Sequence, residues 1–125
     1  MMSRTRPKHL DLTKIRLPVP GLVSILHRVS GAALFLFMPP LLWLWQESVA
    51  SQQRFDQFKA VASHWAVKLV LIGLAWAYLH HLCAGLRHLA LDLHIGAELS
   101  AARASSWAVL AVSVGLTAVV GVILW

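Results

Sequence analysis

Between positions 80 and 94 the chain reads HHLCAGLRHLALDLH, which sets four of its seven histidines and an arginine inside or against a long apolar run. At 100° per residue of helix, His81, Gly85, His88 and Asp92 lie along one face, and His80, Ala84, Arg87 and Leu91 along the next. His81 falls about four residues from the middle of a span extended to Leu91, where its ring nitrogens have no water to bond. Its partner there is a metal, a cofactor or another side chain. Gly85, one turn toward the inner end of the same face, removes a side chain and would let a flat ring approach the backbone. His80 is equally deep, and periodicity does not choose between the two. A hydrogen bond to a neighbouring helix, made for packing alone, accounts for the spacing equally well. His88 lies roughly 10 Å along the axis from His81, near the inner boundary. A protonated imidazole there, or Arg87, can meet a cofactor carboxylate; the plain alternative is snorkelling to headgroups.

A second set lies in SILHRVSG, residues 24 to 31. Ser24, His27, Arg28 and Gly31 follow i, i+3, i+4, i+7 and form a polar stripe at one end of an otherwise apolar segment. Such a stripe faces protein or a bound polar group, because facing lipid is costly. A hydroxyl and a guanidinium on neighbouring turns can donate to a quinone carbonyl or pair with a carboxylate. The plainer readings are that Arg28 anchors to lipid phosphate and that Ser24 caps a helix starting after Pro20.

The elements that must hold these residues follow from composition. With 58% hydrophobic and 13% charged residues in 125, the chain has apolar runs too long for a small water-soluble core. Three runs lack charge, 29–45, 69–86 and 105–125, of 17, 18 and 21 residues, each near or at the length that crosses hydrocarbon. Arg28, Lys68 and Arg87 have stems that snorkel, so the first two spans extend at their ends. Backbone polar groups in lipid must pair within the segment, which makes every span a helix. The expected fold is all-α and membrane-integral: a tail over 1–21, then three transmembrane helices at about 22–46, 66–91 and 104–125, in one domain.

A cleaved signal peptide is the competing reading of the first apolar run, with Ser48, Val49 and Ala50 as the small residues after it. The 28-residue charged region before the run and the length of the run argue instead for a retained span. Six Lys and Arg precede the first span (Arg4, Arg6, Lys8, Lys14, Arg16, Arg28), three lie in the first loop and two in the second. The positive-inside rule then sets the N-terminus in the cytoplasm. Trp43, Trp45, Trp65 and Trp125 fall at outer boundaries and Trp107 at an inner one, as interfacial anchors do.

The net charge of +6 comes largely from that juxtamembrane tail, without aromatic interleaving, so the expected counter-ion is anionic lipid and not nucleic acid. The single Cys83 builds neither a disulfide nor an iron–sulfur site, and no CxxCH motif exists for covalent haem. Pro18 and Pro20 separate the tail from a helix that can start near Leu22, and Pro39–Pro40 inside the first span suggest a kink. Residues 46–65 form the outer loop. There, Phe55, Phe58, Val61 and Ala62 share a helical face, and a short interfacial helix and an irregular loop stand as equal readings.

Together, RPKHLDLTKIRLP (6–18), SILHRVSG (24–31) and HHLCAGLRHLALD (80–92) resemble the cytochrome b-type membrane anchor subunit of succinate dehydrogenase, the larger of its two anchors. The likeness spans essentially the whole chain, and H-R-x-S-G and H-x-x-x-G-x-R-H carry it. The resemblance implies a subunit that binds haem b and ubiquinone in a bacterial inner membrane. Its partners would be a flavoprotein, an iron–sulfur subunit and a second small anchor that shares the haem. His81 matches the axial iron ligand, lying four before the Gly of G-x-R-H, so the resemblance prefers it to His80. Ser24 and Arg28 match the quinone pocket; His27, Arg28 and His88 match the haem propionate side; Asp92 matches a recurring motif position. His80 beside the ligand and Pro39–Pro40 are departures from the motif.

The resemblance implies that electrons arrive singly from the iron–sulfur partner, that Arg28 and Ser24 stabilise charge on the quinone oxygens, and that the second axial ligand is a histidine of the other anchor. Two other classes fit the residues. One is a haem-containing anchor of another quinone-linked complex such as fumarate reductase; the other is a non-redox structural anchor that uses its histidines for packing.

Overall fold

In the computed structural model residues 16–125 are described, so the tail through Lys14, and most of the 6–18 motif, lie outside the described residues. Pro18, extended at φ −65° and ψ 151°, stands at the N-cap of α1 (Val19–Ala50), a helix that begins three residues before the expected start at Leu22. Pro20 is accommodated in the first turn because the N–H it lacks has no intrahelical partner there. At 1.5 Å per residue the 32 residues of α1 run about 48 Å, longer than the hydrocarbon layer. The helix continues through Pro39–Pro40, although the carbonyls of Phe35 and Leu36 lose their N–H partners to the two rings.

Ser51 ends α1 and caps α2 (Gln52–Ala62), its Oγ accepting from the Arg54 N–H at 3.3 Å. The loop between the first two apolar spans is therefore largely helical. An ion pair from Arg54 to Glu47, 2.9 Å, spans the turn, but both groups are partly in solvent and it adds little. His64 caps α3 (Trp65–Asp92), Nδ1 accepting from the Ala66 N–H at 3.3 Å. A short turn, with His94 at φ 61° and Gly96 at φ 70°, reverses the chain into α4 (Leu99–Leu124).

Three of the four helices, α1, α3 and α4, are long and apolar enough to cross a membrane, and no strand occurs among the described residues. The middle span, α3, packs against both α1 and α4. Where the three meet, Val23, Ala84 and Val109 form a small buried cluster, with Cys83 and Leu110 against it. The buried face of α4 carries Ser106, Val109, Ser113 and Thr117, small residues that let backbones approach. Their hydroxyls donate to carbonyls of their own helix, Ser106 to Ala102 at 2.7 Å and Thr117 to Ser113 at 2.7 Å, so none is left unpaired. The outward faces keep large apolar side chains exposed, Phe35, Leu36, Val122 and Ile123 among them, as lipid or a partner helix requires.

Candidate functional site

The N-terminal half of α1 meets α3 through a cluster of polar side chains. Nδ1 of His81 lies 2.9 Å from the His27 carbonyl oxygen and 3.3 Å from Ser30 Oγ. A carbonyl only accepts, so Nδ1 carries the proton, and Nε2 is left with its lone pair and no hydrogen-bond partner among the described residues. That is the tautomer in which an imidazole binds a metal. Gly31 makes room for the ring: a Cβ there would stand 2.7 Å from His81 Cε1 and 3.2 Å from Nδ1. At Gly85, which the sequence points to as the opening, a Cβ would meet only His27 Nε2 at an ordinary 3.5 Å. Within the chain, the tight notch is on α1.

The His27 ring stacks on His81 with centroids 4.1 Å apart and planes 13° from parallel, and His88 lies 5.1 Å from His27 at a tilt of 55°. All three imidazoles are half-buried, and the stacked pair sets its ring nitrogens side by side instead of at a common point. Among the described residues no three His, Cys, Asp or Glu side chains converge on one metal ion. A haem iron needs no such cluster, and His81 could supply it with one imidazole. The donor set fits that group: one imidazole in the ligating tautomer, a glycine notch, and cationic or imidazole groups on the adjoining turns.

Arg28 is exposed, and its Nη2 is 3.5 Å from Ser24 Oγ, at the outer limit of a hydrogen bond. Ser24 lies inside α1 and does not cap it; Pro18 holds that position. The two donors therefore sit one turn apart on the half-open end of the stripe.

His80 and His81, neighbours in sequence, have opposite surroundings. His80 is fully buried, stacked on Trp76 at 5.2 Å, with the Val23 backbone beside it. Neither of its ring nitrogens meets hydrogen-bond geometry with any described residue. Arg87 also turns inward. It is 8% exposed and donates from Nε to Ser105 Oγ at 3.0 Å and from Nη2 to the Ala102 carbonyl at 3.2 Å, joining α3 to α4 away from the imidazoles. Two of its five N–H groups are thereby paired within the chain. Asp92 is exposed at the end of α3.

Ser30 and Ser105 are the contacts that reading the residues passes over. Ser30 stands inside H-R-x-S-G, three residues after His27, and that spacing is the available signal for it. Nothing local marks Ser105 as the partner of Arg87. An apolar cleft of about 230 Å³ between Leu41, Trp45, Phe58, Val67 and Leu71 is roughly 15 Å along α3 from His81 and holds none of this chemistry.

Three apolar helices, with imidazoles gathered between two of them and large apolar side chains facing outward, define a polytopic helical membrane protein. The chain belongs to the succinate dehydrogenase/fumarate reductase transmembrane subunit family, whose sequence model matches residues 2–120. It is similar to the succinate dehydrogenase cytochrome b556 subunit of Coxiella burnetii, 38% identical over 126 residues that cover 99% of this chain and 100% of the relative. The protein of the same description from Paracoccus denitrificans is 37% identical over 89% of this chain and 85% of its own length. That from Rickettsia felis is 33% identical over 90% and 87%.

Proposed function

We propose that this chain is the haem b- and ubiquinone-binding membrane anchor of a bacterial succinate dehydrogenase, passing electrons from the iron–sulfur subunit to ubiquinone. The observation that supports this most is the state of His81, whose Nδ1 proton is taken up by the His27 carbonyl while Nε2 keeps its lone pair. Relatives described as cytochrome b556 subunits, over nearly the full chain, point the same way. Their succinate dehydrogenase names favour that complex over fumarate reductase.

In this reading His81 would hold the haem iron, and His27, Arg28 and His88 would meet the haem's carboxylates. Haem b, when bound, supplies a one-electron carrier beside the quinone. Ser24 and Arg28 donate hydrogen bonds to the quinone oxygens, where a guanidinium in a partly dehydrated pocket favours the added negative charge. The α1, α3 and α4 helices cross the inner membrane at about 22–46, 66–91 and 104–125 with the N-terminus in the cytoplasm, as the basic tail favours. A second small anchor covers the open side of the His27–His81 groove, and the flavoprotein and iron–sulfur subunits complete the assembly.

The test is a reduced-minus-oxidised spectrum and paired activity assays on the purified complex. His81→Leu is expected to remove the low-spin b spectrum. Ser24→Ala and Arg28→Leu are expected to depress succinate:quinone reduction while succinate oxidation by an upstream dye persists. A normal low-spin spectrum in the His81 variant refutes the ligand assignment, and equal loss of both activities at unchanged subunit content refutes the quinone role.

A further inference from the structure

Ser30 is buried, 2% exposed, and touches the same two atoms that set the tautomer of His81. Its hydroxyl donates to the His27 carbonyl at 2.9 Å, and its Oγ lies 3.3 Å from His81 Nδ1. The hydroxyl has one proton, already given to the carbonyl, so toward His81 the oxygen presents only lone pairs. The His27 carbonyl, for its part, is oversubscribed. As a helix interior group it accepts the Gly31 N–H, and it also receives the Ser30 hydroxyl and His81 Nδ1–H, three donors on two lone pairs. A second acceptor for the Nδ1 proton relieves that crowding, and Ser30 Oγ is the group within reach.

Resting on the reading of His81 as the haem ligand, we infer that Ser30 is a positioning residue that shares the Nδ1 proton of His81 with the His27 carbonyl and tunes the iron couple through it. A hydroxyl that donates to a carbonyl is a better acceptor for a third group, so the bonds reinforce one another. Acceptors on the far nitrogen make an imidazole a stronger donor to a metal, which favours the ferric state. The ring is also held from the side: His27 stacks on one face, Gly31 leaves no slack at its edge, and Ser30 limits rotation in the plane.

The experiment is a redox titration of the haem in the intact complex carrying Ser30→Ala, with Ser30→Cys and His81→Leu alongside. Removing an acceptor makes the ligand a weaker donor, so the midpoint potential of Ser30→Ala is expected to rise. The expected size is up to about tenfold in the ferric:ferrous ratio, or about 59 mV for the one-electron couple. A cysteine is close in size but a poorer acceptor, and is expected to shift the same way by less. If Ser30→Ala yields no haem, Ser30→Cys carries the test by itself. An unchanged or lowered potential overturns the role of Ser30. A structural defect alone would lower haem content without moving the potential of the haem that remains. A lost spectrum in His81→Leu with no shift at Ser30 overturns only this inference, whereas a retained low-spin spectrum in His81→Leu overturns the ligand reading as well.

Discussion

Replacing Gly31 by alanine adds one methyl group at the point where α1 comes nearest to His81. That carbon would stand 2.7 Å from His81 Cε1, 3.2 Å from Nδ1 and 3.8 Å from Nε2. Carbon atoms rest at about 3.5–4.0 Å, so the ring has to retreat by roughly 1 Å. Both backbones are helical on either side of the contact and yield little, so the displacement falls on the imidazole. A retreat of that size breaks the 2.9 Å bond to the His27 carbonyl and the 3.3 Å contact with Ser30. Overpacking of this kind costs about 1–3 kcal/mol. Alanine is the better helix former by up to about 1 kcal/mol, but that gain stabilises the helix and does nothing to return the ring to its place. At 1.4 kcal/mol per factor of ten, haem affinity is expected to fall roughly 5- to 150-fold. Haem per assembled complex, read from absorbance against subunit content at limiting haem, measures it. Gly73→Ala on α3, where a Cβ meets nothing within 4 Å, is the control and is expected to keep its haem. Full haem occupancy in Gly31→Ala would refute the argument that this glycine sets the position of His81.

Other expectations concern residues away from the ligand. His80→Leu is expected to retain the low-spin spectrum and to be as stable as the parent or more so by about 1–3 kcal/mol, since it replaces a buried imidazole with two unpaired nitrogens by a hydrocarbon; thermal denaturation showing marked destabilisation would reveal a partner for that ring. Arg87→Met keeps the stem but removes the donors to Ser105 and Ala102, and is expected to lower the stability of the complex by about 1–3 kcal/mol in the same assay. Arg87→Lys should rescue little, because one ammonium does not span both acceptors, and parent-like stability in either variant counts against the α3–α4 link. Expressed without a second anchor, the chain is expected to be recovered with little haem, since residues from one side cover only one face of the ring. A monodisperse preparation with one six-coordinate haem contradicts this.

Much of the architecture is legible along the chain because it depends on local physics. Charge-free runs near 20 residues leave helices as the way to satisfy the backbone in lipid, and three such helices are present. The i, i+3, i+4, i+7 rule likewise puts Ser24, His27, Arg28 and Gly31 on one stripe whatever the neighbours are. What periodicity leaves free is the rotation of each helix against the others. In α3, apolar residues surround the axis on every side, so no single face announces itself as buried. The packing of α3 between α1 and α4 turns His80 and Arg87 inward and sets His81 and His88 in the groove with His27. The same rotation makes Gly31 the tight contact in place of Gly85, brings Ser30 to His81, and pairs Arg87 with Ser105 across 18 positions. Proline at 39 and 40 gives up two N–H bonds without ending α1, and Ser51 at the N-cap of α2 lets the loop between the first two spans fold as a helix. These outcomes depend on which surfaces meet when three apolar cylinders pack, a choice made by small residues and scattered hydrogen bonds that no local pattern encodes.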